Sequence, residues 1–203
     1  MKLYGAPNPA PNPRRVRIFL AEKGIDLPET PVNMMKGEHK SPDFKALNSL
    51  GQLPTLVLDD GAVIAETVSI CRYLEELHPD PPLFGVTALD RAQIDMWIRR
   101  VEFQVQNPVR NFWLHAHPRT AALLTEYTDF GQSNVEAYGR ALKWLDGELA
   151  GKTFIHGEAI SMADICAETA IDFATWIGLE RPPELANLAA WHERMAARPS
   201  SRA

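Results

Sequence analysis

Gly51-Gln52-Leu53-Pro54-Thr55-Leu56 is the stretch that decides the fold. It opens a short apolar run, and Thr55–Leu58 reads as a strand. A proline at the head of a strand is awkward inside a sheet, because it brings no N–H to the ladder. Two readings fit. A cis Leu53–Pro54 bond would turn the Leu53 backbone outward, so that its N–H and C=O could bond another peptide; a trans bond would only open an edge strand. Asp59-Asp60-Gly61 follows, and Asp-Gly between apolar runs predicts a hairpin into a strand at Ala62–Ala65. Glu66-Thr67 comes next, with Thr67 read as the N-cap of a helix to Leu77 whose Ile70, Leu74 and Leu77 share one face. The N-terminus of such a helix also suits an anion, because free N–H groups and the helix dipole converge on it.

Upstream, residues 2–5 predict a strand, and Ala6–Pro13, APNPAPNP, holds four prolines. Each proline fixes φ and lacks an N–H, so this segment is a stiff loop. Pro13 suits a first helical turn, with Asn12 before it as the N-cap. Val16, Phe19 and Leu20 follow at helical spacing, and Gly24 stops the helix. Glu29–Val32 reads as a second strand and residues 42–48 as a short helix. The order β-α-β-α-β-β-α predicts a mixed sheet flanked by helices, opened by a right-handed β-α-β crossover.

Downstream, His78–Phe84, HPDPPLF, carries three prolines and reads as an interdomain linker. The expected division is a domain at 1–78, a linker at 79–88 and an all-helical domain at 89–203. Apolar stripes at helical spacing run through Ile94, Trp97, Ile98, Val101 and Val105, and through Val135, Tyr138, Leu142, Leu145 and Leu149. Met162, Ile165, Cys166, Thr169, Phe173, Trp176 and Ile177 form the widest stripe, which predicts a central helix buried on most sides. Leu185, Leu188, Trp191 and Met195 mark the last helix. Ser161-Met162-Ala163-Asp164 is a capping box, and Ile160 and Ile165 stand at its hydrophobic staple. That is a folding element, with no catalytic role assigned to it.

The 203 residues carry 21 Lys and Arg against 26 Asp and Glu, a net charge of -5, which argues against nucleic acid as a main partner. Two cysteines are too few for a disulfide scaffold. No apolar run is long enough to span a membrane, and the N-terminus has no signal-peptide core. These features predict a cytoplasmic protein with reduced thiols.

Strand, proline loop and helix, then xLPTL, then Glu-Thr opening a third helix, resemble the thioredoxin-like domain of cytosolic glutathione transferases, and the helical second half is similar too. The implied fold class is α/β followed by all-α: an N-terminal thioredoxin-like domain and a C-terminal helical bundle. The resemblance implies a cis Leu53–Pro54 bond, with Leu53 pairing by its backbone with the cysteine of glutathione. It puts the γ-glutamyl carboxylate at Glu66 and Thr67. Lys36-Gly37-Glu38-His39-Lys40 through Phe44 is similar to the family's KGEH…PEF stretch. His39 or Lys40 would then meet the glycine carboxylate, with Gln52 adding a polar contact.

Family members commonly hold the glutathione thiolate with Ser, Tyr or Cys near the start of the first helix. Here the serine-like position is Ala10, which has no hydroxyl, and the tyrosine-like position is Gly5. Tyr4 stands one residue away, and a one-residue shift in a strand points a side chain to the other face, so Tyr4 reads as packing. The A-P-N-P segment resembles the T-P-N-G segment of nu and Ure2-like members, which makes Asn12 the candidate catalytic thiolate contact and Asn8 a weaker duplicate. An amide can donate to a thiolate, and a helix N-terminus adds positive potential. Cys71 and Cys166 fall on apolar stripes and read as core. His115 and His117 form an H-x-H pair without a third ligand cluster, so no metal is expected. Phe103, Gln106 and Phe112 are candidate liners of an electrophile site in the helical half. The implied function is conjugation of glutathione, the co-substrate, to small apolar electrophiles by a homodimer. A glutathione-dependent disulfide reductase or peroxidase, and a non-catalytic glutathione-binding protein on the same fold, are the alternatives.

Overall fold

A computed structural model describes residues 1–121 and 124–203. The chain divides into two compact units, Met1–Leu83 with Pro199–Ala203, and Phe84–Arg198. The last five residues thus cluster with the first unit, whereas the sequence alone assigned them to the helical half.

The first unit holds β1 (Lys2–Gly5), α1 (Pro11–Lys23), β2 (Glu29–Pro31), α2 (Pro42–Leu47), β3 (Thr55–Val57), β4 (Val63–Ala65) and α3 (Thr67–Leu77). The sheet order is β2-β1-β3-β4. β1 and β2 are parallel, joined through α1, and the other pairs are antiparallel. Leu3 faces Leu56 in the register, and both are fully buried with Val16, Ile18, Phe19, Ile70 and Leu74. Strand alternation sends Tyr4 to the other face, where its ring meets Phe44 of α2 edge-on at 5.8 Å. Gly5 leaves room for Glu29: a Cβ there would lie 2.0 Å from Oε2 of that side chain, which would have to shift away from Arg17, whose Nη1 donates to it at 3.2 and 3.1 Å.

Helix starts are where the sequence reading needs correction. α1 begins at Pro11 with Ala10 as N-cap, so Asn12 is the second helical residue and does not cap. Two prolines suit the first turn, whose N–H groups are unpaired in any case, and the helix extends back through both. α3 is capped by Glu66, so Thr67 is its first residue. Gly24 ends α1 in the left-handed conformation, as the sequence predicts. The Lys23 side chain is buried against Glu75 of α3 at 2.5 Å and also donates to the carbonyls of His78 and Pro81. It pins the proline-rich segment to both helices.

The second unit holds α4 (Ala88–Arg100), a π-helical stretch Val101–Gln106, α5 (Asn107–His115), α6 (Thr128–Glu148), α7 (Met162–Trp176) and α8 (Ala186–Ala196). The stripe from Ile94 to Val105 therefore spans two helical geometries, although Val101 and Val105 both stay buried. Pro108 lacks the N–H that a regular ladder would use there, and the wider turn precedes it. α4 opens on a capping box, with Thr87 N–H to Asp90 at 3.1 Å and Asp90 N–H to the Thr87 hydroxyl at 3.1 Å. The T-x-x-D pattern of Thr87–Asp90 could have announced it, but the sequence reading passed it over. α7 is the buried central helix, fully covered from Met162 to Ile171. Two stripe residues depart from expectation: Val135 is exposed, and Trp176, at the end of α7, is 44% exposed.

Candidate functional site

The sheet register gathers the candidate residues of the first unit at one end. Thr55 pairs with Ala65 across the hairpin and with Tyr4 across β1. Both pairings are antiparallel. The start of β3 with Leu53-Pro54, the end of β4 with Glu66-Thr67, and the end of β1 with the loop into α1 are therefore neighbours.

Leu53–Pro54 is cis. The loop before it is held by side chains. Lys40 Nζ donates to the carbonyls of Leu50 and Gly51 at 2.9 and 2.8 Å. Asn48 Nδ2 donates to the Gln52 carbonyl at 3.0 Å and to Thr55 Oγ1 at 3.1 Å, and the Thr55 hydroxyl donates to the same carbonyl at 3.1 Å. Gly51 has φ +54, and a Cβ there would sit 2.4 Å from the His39 carbonyl oxygen. The backbone groups of Leu53, in contrast, have no hydrogen-bond partner among the described residues. Leu53 is half-buried, and a backbone N–H and C=O left without partners on a held loop are what an added peptide strand needs.

Glu66 is the one residue other than glycine with positive φ among the described residues, at 67°. Such a conformation costs about 1–3 kcal/mol and persists where its surroundings impose it. Nothing in the sequence announced it. Its side chain is exposed, makes no cap bond to α3, and no acidic residue stands in the first turn. The first N–H groups of α3 are therefore available to an anion, and the Glu66 carboxylate is at hand for a neighbouring cation.

His39 lies on a 3₁₀ turn at Glu38–Lys40, with Nδ1 buried and unpartnered. Burial, reinforced by the Lys40 charge, holds its pKa below the usual 6.5. Lys40 retains one donor beyond its two carbonyls. Gln52 is exposed beside Leu53.

At α1, Asn12 is half-buried in a first turn that contains no acidic residue, so the positive helix end is uncompensated there. Asn8 faces other work: its Oδ1 accepts from Arg17 at 2.5 Å and its Nδ2 donates to the Ala203 carbonyl at 3.4 Å. In the second unit Phe103 is 58% exposed, while Gln106 and Phe112 are half-buried. Cys71 and Cys166 are both fully buried, and neither is in a disulfide. Among the described residues no group of His, Cys, Asp and Glu could hold a metal ion.

Residues 10–77 match the model of the glutathione S-transferase N-terminal domain, and residues 130–199 match that of the C-terminal domain. Glutathione S-transferase 2 of Saccharomyces cerevisiae is 36% identical over 204 residues, covering 98% of this chain and 87% of that protein. The chain belongs to the glutathione S-transferase family. The crystal structure of Gtt2 from S. cerevisiae superposes with a TM-score of 0.92 at 35% identity, over 100% of this chain and 99% of that one. A glutathione S-transferase domain-containing protein of Marinobacter aquaeolei VT8 gives 0.92 at 36% identity, over 99% and 100% of the two chains. The thioredoxin-like first unit and helical second unit are the two parts of a glutathione transferase.

Proposed function

We propose that this glutathione transferase binds glutathione at the end of the first unit's sheet and conjugates it to small apolar electrophiles. The observation that carries the reading is the unpartnered Leu53 backbone beside the open N-terminus of α3. Glutathione is a short peptide with a zwitterionic amino-acid end and a carboxylate at the other. Leu53 would pair with its cysteine. The α3 N–H groups and Thr67 would hold the γ-glutamyl carboxylate, and Glu66 its ammonium. His39 or Lys40 would take the glycine carboxylate, with Gln52 adding a polar contact.

The thiol, ordinarily near pKa 8.5, must lose its proton at the N-terminus of α1. Gly5 and Ala10 offer no hydroxyl, so Asn12 and the uncompensated helix end would stabilise the thiolate. The thiolate then attacks the electrophilic carbon; a C–S bond forms and the leaving group departs with its electron pair. Both cysteines of the chain are buried, which favours conjugation by the glutathione thiol over a cysteine-based disulfide exchange. The same reading makes the protein a cytoplasmic homodimer that serves in detoxification.

The test is calorimetric titration with glutathione, followed by turnover of 1-chloro-2,4-dinitrobenzene and of hydroxyethyl disulfide. Binding with aryl-halide turnover supports the reading. Turnover of the disulfide alone selects the reductase, and binding without turnover of either selects a binding protein. Light scattering should give twice the mass of one chain.

A further inference from the structure

Pro199–Ala203 belongs to the first unit and lies along α1. The segment is a 3₁₀ turn over Pro199–Arg202, and it is tied to α1 at both ends of the helix. The Ser200 hydroxyl donates to the Glu22 carboxylate in the last turn of α1. In the first turns, Arg14 Nη2 donates to the Ser201 carbonyl at 2.9 Å and reaches the Ser201 hydroxyl at 3.4 Å. Asn8 of the proline loop donates to the Ala203 carbonyl at 3.4 Å. Arg17 holds that same loop, through the Ala6 carbonyl at 3.0 Å and Asn8 Oδ1 at 2.5 Å.

The start of α1 is poorly equipped to fasten itself. A helix start is normally held by a cap side chain that accepts from the second or third N–H. Ala10 has no such side chain, and Pro13, the third helical residue, has no N–H to give. The Arg14 N–H reaches the Ala10 carbonyl at 3.3 Å, against about 2.9–3.0 Å for a typical bond. The Arg14 cation is also badly placed at the positive end of a helix dipole. A carbonyl from outside the helix offsets that, and Ser201 supplies one.

We propose that Pro199–Ala203 is a strap that fixes the start of α1, and that Arg14, through its bond to Ser201, is a positioning residue for the thiolate site. This rests on the glutathione reading for its chemistry. Asn12 sits between the two prolines, two residues before Arg14. A first turn free to rock carries the Asn12 amide and the helix end away from the sulfur, and a hydrogen bond weakens steeply with distance and angle. Leu53 and Thr67 stand on other elements, so the strap acts on thiol ionisation and not on the hold of the glutathione backbone.

The readout is the ultraviolet absorbance of the thiolate in bound glutathione, titrated with pH, which needs no second substrate. Arg14→Met should raise the apparent thiol pKa by about half a unit, the size of a helix-end effect. Glutathione affinity measured well below that pKa should not change. The shift should persist in high salt, because a displaced turn is not screened, and Arg14→Lys should restore most of it. Ser200→Gly combined with Ser201→Gly loosens the strap with the Arg14 charge in place, and should shift the pKa the same way. Ser200→Ala cuts only the tie to Glu22 and should leave the pKa unmoved. A shift that vanishes in high salt makes Arg14 a charge effect and overturns the strap. So does a lowered melting temperature with the pKa unmoved in both Arg14→Met and the double glycine variant. Amide exchange at Arg14, Arg15 and Val16 in the ligand-free protein separates the strap from the glutathione reading. It should be a few-fold faster in Arg14→Met. Faster exchange in a protein that binds no glutathione overturns that reading and leaves the strap standing; unchanged exchange overturns the strap.

Discussion

The N-termini of α7 and α3 are built in opposite ways. At α7, Asp164 is wholly buried and its carboxylate accepts four donors: Ser161 N–H at 2.9 Å, Ser161 Oγ–H at 2.8 Å, Ile155 N–H at 2.8 Å and Trp191 Nε1–H at 2.9 Å. Burial pushes its pKa up and the four bonds pull it back, with burial the larger effect. At α3 the cap residue is exposed, its backbone is forced to positive φ, and its side chain bonds nothing in the helix. A helix start that satisfies itself is a joint in the fold. One left open at a cost in backbone energy is a place for something else to bind.

The comparison breaks most readily at α7. Asp164→Ala leaves four buried donors unmatched and should cost about 3–5 kcal/mol of stability, read as a fall in the denaturant midpoint. A loss under about 1 kcal/mol would mean that the joint is not structural.

On the open side the effects should fall on function. Asn12→Ala should lower kcat/KM about 10- to 150-fold and raise the apparent thiol pKa, because a hydrogen bond to a charged group is worth about 1.5–3 kcal/mol. Tyr4→Phe should change kcat/KM less than about threefold, since its ring packs on Phe44 and only the hydroxyl is lost. A pKa that moves with Tyr4→Phe instead would make the site tyrosine-type.

Thr67→Val keeps the shape of a buried side chain that caps nothing. Calorimetry should show glutathione binding weakened by about 1 kcal/mol with the melting temperature nearly unchanged. Glu66→Gly should act with opposite signs on the two properties: up to about 1 kcal/mol more stability from relief of positive φ, and weaker glutathione binding from loss of the carboxylate. Lower stability in that variant would contradict the idea of a strained, open cap.

The smallest effect is a pH dependence. In the free protein the pKa of His39 lies below 6.5, so the imidazole is neutral at pH 7. A carboxylate placed against it raises that pKa in the complex, so binding takes up a proton. Affinity for glutathione should therefore rise a few-fold as pH falls from about 7.5 to about 5.5, and His39→Gln should flatten the curve. A flat wild-type curve would assign the glycine carboxylate to Lys40.

Much of this protein was legible in its residues. The order of strands and helices, the hairpin at Asp60-Gly61, the stop at Gly24 and the Ser161–Asp164 box all follow from local chemistry, where one residue type suits one backbone state. The xLPTL segment, through the family resemblance, marked the loop whose Leu53–Pro54 bond is cis. The exact cap residues escaped, because Ala10 and Glu66 are poor caps by propensity and hold those places only through the elements around them. The π-helical turn at Val101–Gln106 kept the same apolar spacing on its buried side, so periodicity could not distinguish it. Only the tertiary structure brought Pro54, Thr67 and the start of α1 to one end of a sheet, because strand register joins residues far apart in sequence. It alone also laid Pro199–Ala203 on α1, since Arg14 and Ser201, 187 residues apart, meet by packing and not by spacing.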